Sequence, residues 1–450
     1  MNNRTLVWLC LCPFLAWGNP YPNPEFISPD LHPFNNYLQR YQSTPILSRN
    51  AGLPVLRIQI KWQLSSDGAE TYALDQVKTE RSGTHALMKR VLRPDPHGSY
   101  HATIFDLNTG KALYYQSIGT GKEFRKLSGA LAFRFPEITS PIRFILRAED
   151  PTSGKLTEVF NQIIDPTQAT PVATLKTTQK LIRSSLMKPT IVVAIYADGF
   201  QKGSEHSFFE KAAKIVHTLE KINFPQQKHF SFRAVFATSN KKLGRARSLG
   251  KRKVRDSFLG LYHPYWHQFG RWYNVVYPTS VTKYRDAIAQ SSYDYPIVLM
   301  DSSTYWGVGN FKELTAIPAH SNRFEYLLLH EFGHYFGLNE EYEGGGPTEL
   351  EFAPYMEEPW SQNITFLKRP KQLKWSHLLT RNTPIPTPRS HWNRSRNIGA
   401  YRGGYADSYS QTPSHKPGFS CIMSSGHTFC PVCLHALEQR FKIDQGIDIN

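Results

Sequence analysis

Cysteine is scarce in this chain, with five residues in 450. Two of them, Cys10 and Cys12, fall near the start, and the other three, Cys421, Cys430 and Cys433, lie near the end. That scarcity excludes a disulfide-dense scaffold. Long apolar runs are also missing after residue 18, which argues against a helical membrane span. Acidic side chains are in short supply: 36 Asp and Glu stand against 53 Lys and Arg, a formal charge of +17. A field of that sign favours acidic partners, although many soluble proteins are basic without using it. Apolar residues are present at 40%, with 13% aromatic, which is the composition of a globular chain. Its length suffices for two or three domains, each with its own core.

Residues 1–18 have the pattern of a signal peptide. Arg4 supplies a positive start, Leu6 to Trp17 an apolar run too short to span a bilayer, and Ala16-Trp17-Gly18 a small-x-small cleavage site. The expected location is therefore secreted or periplasmic, without a transmembrane segment. Residues 19–50, rich in Pro and Asn, read as an extended lead-in. In an oxidising compartment the three late cysteines are expected to give one disulfide, with the pairing open, and one free thiol.

From Pro54 the pattern alternates with a period of two, as in Val55 to Trp62, Tyr100 to Asp106, Ala112 to Tyr115, Leu131 to Phe135 and Ile142 to Ala148. Short strands punctuated by turns such as Asp106 to Lys111 predict an antiparallel β-sandwich over residues 51–165. Residues 166–186 read as a linker. A second unit, 187–450, opens on the buried-strand run Thr190 to Tyr196. A helical period follows over Phe208 to Lys221, then strands at Phe230 to Phe236 and Tyr295 to Met300. The whole is an α+β multidomain chain with an α/β second domain. Lys241 to Arg255 carries eight Lys or Arg in fifteen positions. Its aromatics follow the charges instead of interleaving with them, so the run reads as a solvated loop that can touch an acidic polyanion, without specific nucleic-acid recognition.

The chemistry concentrates at His330-Glu331-Phe332-Gly333-His334, an H-E-x-x-H spacing. On a helix over Arg323 to Phe336, two imidazoles four apart share one face and can hold Zn2+, while Glu331 can serve as general base toward a zinc-activated water. The same helix is expected to bury Phe324, Leu328, Phe332 and Tyr335. Gly337 marks a helix stop, and an acid follows three residues later. Glu340 stands where related H-E-x-x-H-x-x-G-x-x-H proteases place a third ligand, and Glu341 is the alternative. Met423, within Cys421-Ile422-Met423-Ser424-Ser425, is placed to act as a Met-turn of the metzincin kind, packing beneath the metal. Tyr305 to Gly309 can form a rim onto which an extended peptide adds as a strand. The acidic stretch Glu340 to Glu358 reads as a solvated loop, and His377, His415 and His427 are candidates for stabilising an oxyanion.

The order of these elements resembles the M64 family of zinc peptidases, the immunoglobulin A peptidase family. The resemblance rests on His330 to Tyr342, Glu358-Pro359, Asn363-Ile364-Thr365, Lys374-Trp375 and Thr383 to Pro388. Ile398 to Tyr401, Gly403 to Tyr405, Cys421 to Met423 and Phe429 to Cys433 continue it. It implies a metzincin-like zinc endopeptidase domain acting on a protein or peptide substrate. Between His334 and the Leu-x-acid-Glu-Tyr element the chain is one residue shorter than many family members, which leaves the choice between Glu340 and Glu341 open. The rival expectation is a catalytically weak or inactive zinc-binding surface or adhesion protein.

Overall fold

The computed structural model describes residues 54–66, 69–80, 97–120, 129–150, 155–187, 190–241, 256–262, 265–266, 271–272, 276–303, 307–342, 358–392, 397–404 and 414–444. Residues 1–50, nearly all of the basic run Lys241 to Arg255, Tyr305-Trp306, and most of the acidic stretch after Tyr342 lie outside them.

Among the described residues, 54–164 contribute strands and no helix: β1 (Val55–Leu64), β2 (Glu70–Glu80), β3 (Tyr100–Asp106), β4 (Ala112–Ile118), β5 (Ala130–Pro136), β6 (Ile142–Glu149) and β7 (Leu156–Ile164). Their order is β5-β1-β2 in one sheet and β4-β3-β6-β7 in another, every one of these pairs antiparallel. The alternation explains the arrangement. Leu56, Ile58 and Ile60 of β1 share an apolar cluster with Ala102 and Ile104 of β3 and Phe144 of β6. The turn after β3 is held by Asp106, whose carboxylate accepts from the N–H and hydroxyl of Thr109, while Gly110 takes a positive φ of 65°.

The opposite face of β1 is buried too, but by polar contacts. Arg57 pairs with Glu80 at 3.2 Å and with Asp286, and Gln59 donates to the Thr282 hydroxyl at 2.6 Å. Segment 166–186, read as a linker, supplies two strands: β8 (Thr170–Pro171) lies parallel to β2, and β9 (Thr178–Arg183) lies antiparallel at one end of the next sheet.

That sheet has the order β17-β18-β16-β10-β11-β9. Its members β10 (Ile191–Asp198), β11 (Phe230–Phe236), β16 (Tyr295–Met300) and β18 (Leu314–Pro318) are mutually parallel, and β17 (Val308–Asn310) closes one end antiparallel to β18. All of β10 and β16 is buried, which their near-continuous apolar runs require of strands covered on both faces. Four short strands precede β16: β12 (Leu261–Tyr262), β13 (Tyr265–Trp266), β14 (Arg271–Trp272) and β15 (Tyr277–Pro278).

Helix α1 (Glu205–Lys221) buries Phe208, Ala212, Ile215, Val216 and Leu219, a 3.6-residue stripe. Helix α2 (Val281–Ile288), capped by the Ser280 hydroxyl, meets the polar face of β1. Helix α3 (Phe324–Tyr335) packs against β17 and β18, and helix α4 (Pro431–Asp444) ends the described chain. A cluster of aromatic edges fixes α3 on the sheet. Phe332 stacks on Phe224 at 5.5 Å, and Phe336 meets Tyr295 at 4.9 Å and Phe441 of α4 at 4.6 Å. Among the described residues no helix is long and apolar enough to cross a membrane. Two two-residue strands, β19 (Tyr401–Arg402) and β20 (His415–Lys416), pair in the segment before α4.

Candidate metal centre

Helix α3 buries Phe324, Leu328, Phe332 and Tyr335 on the sheet side. That leaves His330 and His334, one turn apart, on the other side. The helix stops at Gly337, which takes a φ of 91° that a side chain rarely adopts. The Leu338 N–H reaches back to the Gly333 carbonyl at 3.2 Å, closing the end. Beyond this stop, Asn363 holds the chain from both sides. Its side-chain oxygen accepts from the Asn339 N–H at 2.8 Å, and its amide donates to the Asn339 carbonyl at 2.7 Å.

The two imidazoles have defined tautomers. His330 Nδ1 lies 2.9 Å from the Ile422 carbonyl oxygen, and His334 Nδ1 lies 2.8 Å from that of Leu338. A carbonyl only accepts, so both Nδ1 atoms carry the proton and donate it. Both Nε2 atoms therefore present lone pairs, and they face each other at 3.2 Å. Two acceptors at that distance repel unless a cation lies between them. Four-coordinate zinc with nitrogens at about 2.0–2.1 Å would set such a pair about 3.3–3.4 Å apart. Burial pushes both imidazoles down to about 4, with His334 adding to the effect on His330, so both stay neutral near pH 7 and free to ligate.

Glu340 completes this group. Its Oε1 is 4.0 Å from His334 Nε2, and one ligand atom from each of His330, His334 and Glu340 lies within 4.8 Å of the others. Two nitrogens and one carboxylate oxygen grouped in this way fit a divalent metal of borderline softness. Burial raises the Glu340 carboxyl above its ordinary range, against a hydrogen bond with Tyr342 and the nearby His330. Tyr326 and Tyr342 flank His330 as nearly parallel rings at 5.3 and 6.1 Å.

Glu331 is buried beside them. Its carboxyl is pushed up to about 8, first by burial and then by the charge of Glu340, while a hydrogen bond from the Gly309 N–H opposes the rise. Two glycines make room for it. A Cβ on Gly307 would collide with the Glu331 carboxylate, and one on Gly309 with the Glu331 carbonyl and with His334 Cβ. Gly309 is in β17, so an end strand of the sheet runs directly past this carboxyl group.

Met423 packs under the helix. Its Sδ is 2.7 Å from where a Cβ on Gly333 would lie, so a glycine there permits the contact. The same turn holds the first imidazole through Ile422, and the Tyr326 hydroxyl donates to the Ser424 carbonyl at 2.8 Å.

Glu341, the alternative third ligand, points elsewhere. It is fully buried and groups with Cys421, Cys430 and Cys433. The expected disulfide is absent: all three cysteines are free, and Cys421 Sγ is 3.6 Å from Cys433 Sγ, far beyond the ~2.05 Å of a bond. None of His377, His415 and His427 belongs to that ligand group. His415 lies in β20, and His377 packs on His435 at 4.6 Å. Asn363 and the two tyrosines acquire their roles only in three dimensions. Tyr342 and Asn363 stand in segments that resemble the family, and that was their only signal in the sequence.

Residues 180–397 match the family model described as IgA Peptidase M64. No curated protein sequence matches the chain. The matched interval contains His330, Glu331, His334, Glu340 and Glu341, and it ends before Cys421, Cys430 and Cys433.

Proposed function

Because residues 180–397 belong to the IgA peptidase M64 family, a family of peptidases, we propose that the chain is an exported zinc-dependent endopeptidase. His330, His334 and Glu340 are its metal ligands and Glu331 its general base. The observation that carries this reading is the pair of Nε2 lone pairs facing each other at 3.2 Å, with a buried carboxyl at the next residue. In this reading the strands of residues 51–165 form a β-sandwich, and residues 187–450 a metzincin-like peptidase domain with Met423 as its Met-turn.

A bound zinc ion supplies a Lewis acid that polarises the scissile carbonyl and makes a water acidic enough to react near neutral pH. The protein does the rest. The Ile422 and Leu338 carbonyls hold the imidazoles in the tautomer that leaves Nε2 free. Glu331, held by the Gly309 N–H, takes the proton of the attacking water and returns it to the leaving amine nitrogen. Its buried position beside the ligand group, with the Gly309 N–H as hydrogen-bond donor, places the carboxyl group for both transfers. Strand β17, at the end of its sheet, offers an extended peptide an antiparallel partner beside that carboxyl. The substrate class is thus a protein or peptide in extended form. The signal-like pattern of residues 1–18 supports export.

The test is incubation of the purified chain with a mixed peptide library, with and without chelator. Cuts that vanish with chelator and return with zinc are expected. Full zinc occupancy at the histidine group with no cleavage of any peptide would overturn the reading.

A further inference from the structure

Next to the histidine group lies a second set of side chains that the peptidase reading leaves unused. Cys421, Cys430 and Cys433 surround the carboxylate of Glu341, and all four are buried. One ligand atom from each lies within 4.8 Å of the others. Within that group, Cys421 Sγ to Cys433 Sγ is 3.6 Å, Cys433 Sγ to Glu341 Oε1 is 3.1 Å, and Cys430 Sγ to Glu341 Oε1 is 3.9 Å. Tetrahedral zinc, with sulfurs at about 2.3 Å and a carboxylate oxygen at about 2.0–2.2 Å, sets its ligands about 3.5–3.8 Å apart. These three separations bracket the ligand spacing of one coordination tetrahedron.

We propose that Glu341, Cys421, Cys430 and Cys433 form a second, structural metal site for zinc or another thiophilic divalent cation. A second, independent observation points the same way. Glu341 Oε2 is buried and has no hydrogen-bond partner. A fully buried carboxylate with a bare oxygen is costly unless a cation compensates it. A disulfide would consume two thiols and leave that carboxylate as it stands.

The surroundings suit thiolates as well as a metal. The Cys430 N–H points at Cys421 Sγ at 3.4 Å, and the Cys433 N–H points at Cys430 Sγ at 3.5 Å. Cys430 immediately precedes α4 and Cys433 lies in its first turn, where the helix dipole favours negative charge. Three thiolates and a carboxylate around a divalent ion carry a net negative charge. Buried Lys416 donates to the Glu341 carbonyl, and the Asn363 amide donates to Glu341 Oε1 at 3.2 Å. Binding would release the three thiol protons to solvent.

Four protein ligands and full burial leave no open position, so the site serves structure and not hydrolysis. What it secures is the turn that orients His330. Cys421 precedes Ile422, whose carbonyl accepts from His330 Nδ1, and the Glu341 N–H donates to the Met423 carbonyl at 2.7 Å. The ion would tie the loop after α3, the turn beneath it and α4 into one closed unit.

The experiment is metal analysis and cobalt substitution of the full chain purified without reducing agent. Two metal ions per chain are expected, with Cys421, Cys430 and Cys433 all recovered as thiols by peptide mapping once the protein is unfolded in chelator. Cobalt should produce an intense near-ultraviolet thiolate-to-metal charge-transfer band. That band should persist in the double variant His330→Ala/His334→Ala, which loses only the other ion, and should disappear in Cys433→Ser. Because the band reports sulfur ligation alone, the outcome is independent of whether the histidine group hydrolyses peptides. Loss of all bound metal in the His330→Ala/His334→Ala variant, absence of the band from the cobalt protein, or two of Cys421, Cys430 and Cys433 recovered as a disulfide would each overturn the proposal.

Discussion

His330 Nδ1 donates to the carbonyl oxygen of Ile422, 92 residues later in the chain and 2.9 Å away. One backbone carbonyl thereby sets the tautomer of an imidazole on a distant helix and decides which nitrogen is left for a metal. The roles of the neighbouring side chains are separable by substitution.

Glu331→Ala should keep the zinc of the histidine group and lose peptide hydrolysis by about 1,000-fold or more, within the range of general-base effects. His330→Ala should lose that zinc and the hydrolysis together. Metal content and turnover measured on the same preparations decide the assignment. Undiminished cleavage by the Glu331 variant would remove it from the mechanism.

Gly307→Ala tests the positioning of that carboxyl group. The added Cβ collides with the Glu331 carboxylate and must displace it. A shift of about 1 Å can cost about 100-fold in rate, so kcat should fall on that order while zinc content stays unchanged. A variant with normal kcat would show that Gly307 is only a loop residue.

Gly333→Ala sets two effects against each other. Alanine in a helix is favoured over glycine by about 1 kcal/mol. The new Cβ, however, would lie 2.7 Å from Met423 Sδ and 3.1 Å from Phe429 Cε1, both buried. Overpacking of this kind costs about 1–3 kcal/mol, so the net outcome is destabilisation. A melting temperature above that of the unchanged protein would contradict it.

Asp198 carries a pH signature. It is fully buried, and burial pushes its carboxyl up to about 6, against hydrogen bonds from the Leu259 and Leu261 N–H groups and the Ser257 hydroxyl. A folded-state pKa above the unfolded value of 3.8 favours the protonated form in the native state. The stability this contributes is complete below about pH 4 and lost as pH rises through 6, up to about 3 kcal/mol. Asp198→Asn should remove that slope from denaturation curves taken between pH 4 and 7. It also replaces one of the two acceptor oxygens that serve three donors with an amide donor, so it should cost about 1–3 kcal/mol at every pH.

Much of this architecture was legible from local pattern. The alternation in Val55 to Trp62 and Tyr100 to Asp106 marked β1 and β3, and the all-apolar Ile191 to Ala197 marked a strand buried on both faces. Spacing alone placed His330 and His334 on one helix face. Three features could not be read this way, for one reason: each depends on partners far apart in sequence. Strands β8 and β9 have compositions that suit a connection and are strands because β2 and β11 receive them. Cys421, Cys430 and Cys433 suggested one disulfide, its pairing open, because Glu341, 80 residues before Cys421, could not be seen to join them. Choosing between Glu340 and Glu341 required knowing which way each side chain leaves the loop after Gly337.

Ala130 and Ala132 of β5 belong to the same apolar cluster as Tyr196, Val281 and Val298, while Arg57 and Gln59 reach across to α2. The amino-terminal sheets are therefore welded to the later half through small side chains and desolvated charge, not tethered to it. A protease-trimmed fragment beginning near residue 187 would carry a bare hydrophobic scar and an orphaned Asp286. The two halves should accordingly melt as one cooperative body.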